Sequence, residues 1–157
     1  MIYRIGAKIG MMMMVAKAFI DTNIILRSIH QAMPHHTDTR QLVEQHRNNG
    51  YELWISRQVI REYLVQVTRT GVLAVPLTMQ QAGQRVDDIA QLYHIADDTH
   101  DVTQMLKSLM QQFLTIGKQV HDANIVATML VYGIDTLLTL NIADIQRFSS
   151  KINLVTI

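Results

Sequence analysis

From Val15 onward, short runs of β-branched and aliphatic residues alternate with longer stretches of helical periodicity, and this alternation restricts the fold more than any other feature. It is the signature of βα units, in which a crossover helix follows each strand and the strands lie parallel. The fold class is therefore α/β. A first strand is expected over Ala16 to Ile20, stopping at Asp21-Thr22-Asn23, whose short polar side chains cap a helix around Ile24 to Ile29. Pro34 and the polar residues His35 to Thr37 break that helix, and a second covers Asp38 to Asn48 before Asn49-Gly50 ends it. Strand Tyr51 to Ile55 is closed by Ser56, the N-cap of a helix over Arg57 to Thr68 with Val59, Ile60, Tyr63, Leu64 and Val67 on one face. After a loop over Thr70 to Leu77, helices are expected over Thr78 to Tyr93, Asp101 to Ile116 and His121 to Tyr132. The remaining strands fall at His94 to Ala96, Thr136 to Leu140 and Asn153 to Ile157, with a short helix over Ala143 to Phe148.

The 157 residues contain no repeat, linker or composition shift, so residues 15–157 read as one domain. With 48% hydrophobic residues, the chain can bury a sizeable core. Its 17% charged residues lie below the roughly 25% usual for soluble domains, which points to apolar surface covered by a partner subunit. Residues 1–14 read as a dispensable leader, with translation starting within the run Met11 to Met14, or alternatively as an added short strand. They lack the apolar core and small-residue cleavage site of a signal peptide. No apolar run approaches the roughly 20 residues of a membrane span. The absence of cysteine removes disulfides, thiol nucleophiles and thiolate metal sites, and makes a reducing, cytoplasmic setting the expectation. With a net charge of +1, any contact with nucleic acid must come from a local basic patch or from metal ions.

The 13 carboxylates are not scattered at random over this topology. Loops leaving the carboxyl ends of parallel strands converge on one crevice. Asp21 and Asp144 follow the ends of expected strands, and Asp122 opens a helix whose apolar face, with Ile125, Val126 and Met129, should pack on the sheet. Glu62 lies on an inner helix beside Val59, Ile60 and Tyr63. Unpaired charge among aliphatic side chains is expensive, so something must compensate it. Two possibilities stand open: an ion pair of Glu62 with Arg57 or Arg61, or hard cations shared among several carboxylates. An oxygen-only donor set favours Mg²⁺ or Mn²⁺ over zinc, and such ions support phosphodiester hydrolysis.

Four stretches carry a more specific signal. Phe19-Ile20-Asp21-Thr22-Asn23-Ile24, residues Ser56 to Glu62, residues His121 to Ala127, and residues Leu137 to Asp144 resemble, in order, the four acidic motifs of PIN-domain ribonucleases. The likeness runs from about Lys17 to Ile157, and the small size resembles the VapC-type toxins of toxin–antitoxin pairs. It implies a three-layer α/β/α fold with a central, mainly parallel sheet of about five strands. It further implies that Asp21, Glu62, Asp122 and Asp144 form an acidic Mg²⁺ or Mn²⁺ site for RNA cleavage by metal-activated water. Thr22 and Asn23 would hold the first carboxylate, and Thr139 and Asn141 would orient water or a ligand. A homodimer and a cognate antitoxin covering the cleft are implied as partners. One departure is Ile145, where an aromatic residue often follows the last acid.

Two other readings compete. A non-catalytic PIN-fold module would bind RNA or protein, but such a protein is free to lose its acids, and all four are present. A phosphotransferase or receiver domain would use Asp21 as nucleophile, but its usual second aspartate is Asn23 here. Among the remaining residues, Arg57, Arg61 and Lys118 are candidate RNA phosphate contacts. His121 reads as a helix-start residue or an RNA contact rather than a metal ligand, and His35-His36 as a solvated loop. Asp97, Asp98 and Asp101 read as helix-capping residues, Trp54 as core, and the stripe from Met105 to Phe113 as core or dimer surface.

Overall fold

Ala18, Phe19 and Ile20 of the first strand, β1 (Lys17–Ile20), are wholly buried, because this strand is the centre of the sheet and is covered on both faces. The computed structural model describes residues 14–157. The leader or extra strand expected over residues 1–14 lies, Met14 apart, outside the described residues. After β1 come α1 (Thr22–Ile29), α2 (His36–Asn48), β2 (Glu52–Ser56), α3 (Arg57–Thr68), α4 (Met79–Leu92) and β3 (His94–Ala96). The chain continues through α5 (His100–Gln112), α6 (Gln119–Val131), β4 (Thr136–Leu138), α7 (Ile142–Ile145), a 3₁₀ turn over Gln146–Phe148 and β5 (Asn153–Val155).

All four strand pairings are parallel, in the order β3-β2-β1-β4-β5. Right-handed crossovers that move outward in opposite directions from β1 must lie on opposite faces of the sheet. Accordingly α1 packs against α2 and α3, and α3 against α4, while α5 packs against α6 and α6 against α7. This is a three-layer α/β/α arrangement whose topological switch lies between β1 and β4. A crevice opens at the carboxyl ends of strands at such a point.

Helix starts are set by side-chain caps. Ser56 accepts from the Val59 amide at 3.3 Å, and Thr78 and Gln81 form a reciprocal capping box at the head of α4. The second helix begins earlier than expected, at His36, since residue 35 turns the chain in a left-handed conformation with φ 61°. The half-buried His36 ring is not solvated as expected, for its Nδ1 meets the Arg27 carbonyl at 2.7 Å and ties α2 to α1. Two elements are shorter than their patterns imply. The fifth helix ends at Gln112, with Phe113 leaving the helix to meet Phe148 edge-on. The fourth strand ends at Leu138, where Thr139 turns its hydroxyl toward β1. Trp54 is half-buried rather than core, stacked on His94 with Lys17 over its ring. The stripe on α5 divides: Val102 and Leu109 are buried, Met105 and Leu106 half-buried.

Candidate functional site

Asp21 occupies the first position past β1, where its amide donates to the Leu138 carbonyl at 3.0 Å and its carboxylate caps α1. The carboxylate is buried and held by three donors. Oδ1 accepts from the Thr22 amide at 2.7 Å, and Oδ2 accepts from Thr139 Oγ1 at 2.6 Å and Asn23 Nδ2 at 2.8 Å. Burial pushes its pKa up to about 6, against the pull of these hydrogen bonds, and the nearby Glu62 charge adds to the rise. Asn23 thus contacts the first carboxylate as expected of it, and Thr139, expected to orient water or a ligand, contacts that same carboxylate. Thr22 divides its labour, because its backbone holds Asp21 while its hydroxyl donates to Glu62 Oε2 at 2.7 Å.

Glu62 faces Asp21 from α3. Its other oxygen, Oε1, accepts from Gln58 Nε2 at 2.8 Å, so two neutral donors hold it. Neither arginine pairs with it. Arg57 Nε lies 2.8 Å from Asp97 and Arg61 Nη2 lies 3.0 Å from Asp98, which rules out the ion pair considered for Glu62. Those pairs also correct the reading of Asp97 and Asp98 as caps, since Thr99 caps α5 and Asp101 stands in its first turn. Lys118 is exposed at the head of α6.

Asp122 lies in the first turn of α6, half-buried, with its pKa raised by burial and then by the charges of Asp144 and Glu62; Arg147 and His121 pull the other way. Asp144 is exposed on α7 and accepts from Asn141 Nδ2 at 2.7 Å. The Asn141 amide in turn donates to Thr139 Oγ1 at 3.0 Å, which links the fourth acid to the hydroxyl that holds the first. A cleft of about 670 Å³ takes Asp21, Glu62 and Asp122 into its wall together with Asn141, and Asp144 stands just outside it. The four acids therefore share one end of the sheet. As the side chains stand, no three His, Cys, Asp or Glu among the described residues form a group able to hold one ion. The crowding is accommodated by hydrogen bonds and by a carboxyl at Asp21 that keeps its proton to unusually high pH.

One polar residue not singled out in the sequence, Gln58, completes this wall, and another, Arg147, stands beside Asp122. Gln58, nearly buried, donates to Glu62 and to the His121 carbonyl, and accepts from Asn124 Nδ2 at 2.8 Å. It bridges α3 to α6. Its signal was its place one turn before Glu62 on the inward face. Arg147, beside Asp122, donates from Nη1 to the Leu114 carbonyl at 3.2 Å.

No family model matches the chain, and no curated protein does. Solved structures match it nearly end to end. VapBC2 from Rickettsia felis, bound to a promoter DNA fragment, is 20% identical, with 89% of this chain and 98% of that one covered and a TM-score of 0.62. VapBC-1 from nontypeable Haemophilus influenzae is 13% identical over 88% and 96%, with a TM-score of 0.66. VapC20 from Mycobacterium tuberculosis, a sarcin–ricin loop cleaving toxin, is 16% identical over 77% and 87%, with a TM-score of 0.57. At such identities the likeness defines a fold. The chain has the three-layer α/β/α fold of VapC-type PIN domains.

Proposed function

We propose that the chain is a Mg²⁺- or Mn²⁺-dependent endoribonuclease and the toxin of a toxin–antitoxin pair. The observation that carries this reading is the buried Asp21 carboxylate, held by three donors and facing Glu62 and Asp122 across one cleft. Asp21, Glu62, Asp122 and Asp144 would hold the ion. Their donors are all oxygens, and a hard cation that keeps most of its water needs only one or two carboxylates at once, so the set fits although no three converge. When bound, the metal supplies a water of lowered pKa and positive charge beside the departing oxygen.

The chain's own residues supply position. Thr22, Asn23 and Thr139 leave Asp21 no freedom to turn, Gln58 and Thr22 do the same for Glu62, and Asn141 holds Asp144. Asp21 must give up its proton to bind a cation, so its pKa, raised to about 6, sets protons in competition with the metal at mildly acid pH. The receiver-type reading fares poorly, since Asn23 stands where its usual second aspartate would be. RNA is the proposed substrate, an antitoxin the proposed partner over the cleft, a homodimer the proposed assembly and the cytoplasm the proposed setting. Among the described residues no helix is long and apolar enough to cross a membrane. The antitoxin complexes among the structural neighbours and the RNA-loop cleavage named for one of them support the reading.

The test is cleavage of a broad RNA panel by the purified chain, freed of any co-purified protein. Cutting with Mn²⁺ or Mg²⁺, lost in chelator and in Asp21→Asn with unchanged circular dichroism, is expected. A folded, inert wild type would instead favour the non-catalytic binding module.

A further inference from the structure

The cleft extends beyond its acids. Besides its carboxylates, the wall includes the apolar Leu26, Val65, Leu106 and Ile125 and two guanidinium groups, Arg27 on α1 and Arg61 on α3. A nucleic acid lying here would meet both carboxylates and arginines. The two arginines differ in how they are held. Arg61 is paired with Asp98. Arg27 has no acidic partner among the described residues. Its Nη1 reaches only the Pro34 carbonyl, at a long 3.4 Å, and its Nε is buried without any hydrogen-bond partner. Buried donors are nearly always paired, and a guanidinium without a counter-ion is the residue type best suited to a phosphate. Arg27 also follows Asn23 by one helical turn, so it shares the α1 face that carries the Asp21 support.

We propose that Arg27 grips an RNA phosphate adjacent to the one cleaved, with the apolar wall seating the nucleoside between them. The inference rests on the ribonuclease reading and deepens it, because it assigns the direction in which the strand leaves the acids: along α1. Arg27 swings its weakly held fork from Pro34 onto the phosphate, which removes the unpaired donor. Arg61 contributes less, since a phosphate there must compete with Asp98.

Steady-state cleavage of a fluorescent single-stranded RNA in Mn²⁺ tests this, with Arg27→Gln, Arg27→Lys and, as a charge control, Arg40→Gln on the exposed outer side of α2. Arg27→Gln is expected to raise KM about tenfold with kcat within about twofold, and to flatten the slope of log(kcat/KM) against log salt by about 0.7. Arg27→Lys should fall between it and wild type, which keeps the test open even where the glutamine variant fails to fold. Arg40→Gln should match wild type. A folded Arg27→Gln with wild-type KM and salt slope overturns the inference while leaving the ribonuclease reading intact, and so does an equal shift in Arg40→Gln. A wild type that cleaves no RNA overturns both.

Discussion

Asp21 sits where a protein interested only in stability would place an aliphatic residue. Its carboxyl pKa, near 3.8 in an unfolded chain, is pushed up to about 6 by burial and by Glu62. A group whose pKa rises on folding favours the fold in its protonated form. Its contribution is therefore fully present below pH of about 4 and is lost as pH climbs through about 6, a difference of roughly 3 kcal/mol. Denaturant melts of the metal-free chain between pH 4 and 7.5 should show this loss, and in Asp21→Asn that part of the pH dependence should vanish. Thr139 offers a second handle. Its hydroxyl donates to Asp21 and accepts from the Asn141 amide, so Thr139→Val leaves two buried groups short of partners. The expected cost is about 1–3 kcal/mol, together with slower RNA cleavage.

At the scale of elements, the caps separate stability from function. Ser56→Ala and Thr78→Ala each remove one N-cap and should each destabilise the fold by about 1 kcal/mol in denaturant melts. Only Ser56→Ala should also slow cleavage, because α3 carries Gln58 and Glu62 whereas α4 carries none of the cleft wall. The same contrast explains what was legible in the sequence. The third helix and β3 match their expected bounds, because a cap, an apolar stripe and a flanking turn are all local signals. That the four acids gather at one end of the sheet was legible through motif order and the switch-point rule. The Arg57–Asp97 and Arg61–Asp98 pairs, the Gln58–Asn124 bridge and the early end of β4 were not. Each depends on a partner 37 to 118 residues away, and residue spacing says nothing of such partners.

At the scale of the whole molecule, the sheet order brings β1 and β4 side by side, and with them acids separated by most of the chain. The domain thus concentrates negative charge at one end, where a cation is the natural relief. Mg²⁺ or Mn²⁺ at a hundred times its dissociation constant should stabilise the fold by about 2.7 kcal/mol. Thermal melts should show a larger gain at pH 7.5 than at pH 5, where protons compete for Asp21. The most direct measurement is calorimetric titration of the metal-free chain with Mn²⁺ at pH 6, repeated in buffers of different ionisation enthalpy, on wild type and Asp21→Asn. The expected result is saturable binding with proton release in the wild type, and loss of both in the variant. Equal affinity and no difference in proton release would contradict a cation site built on Asp21.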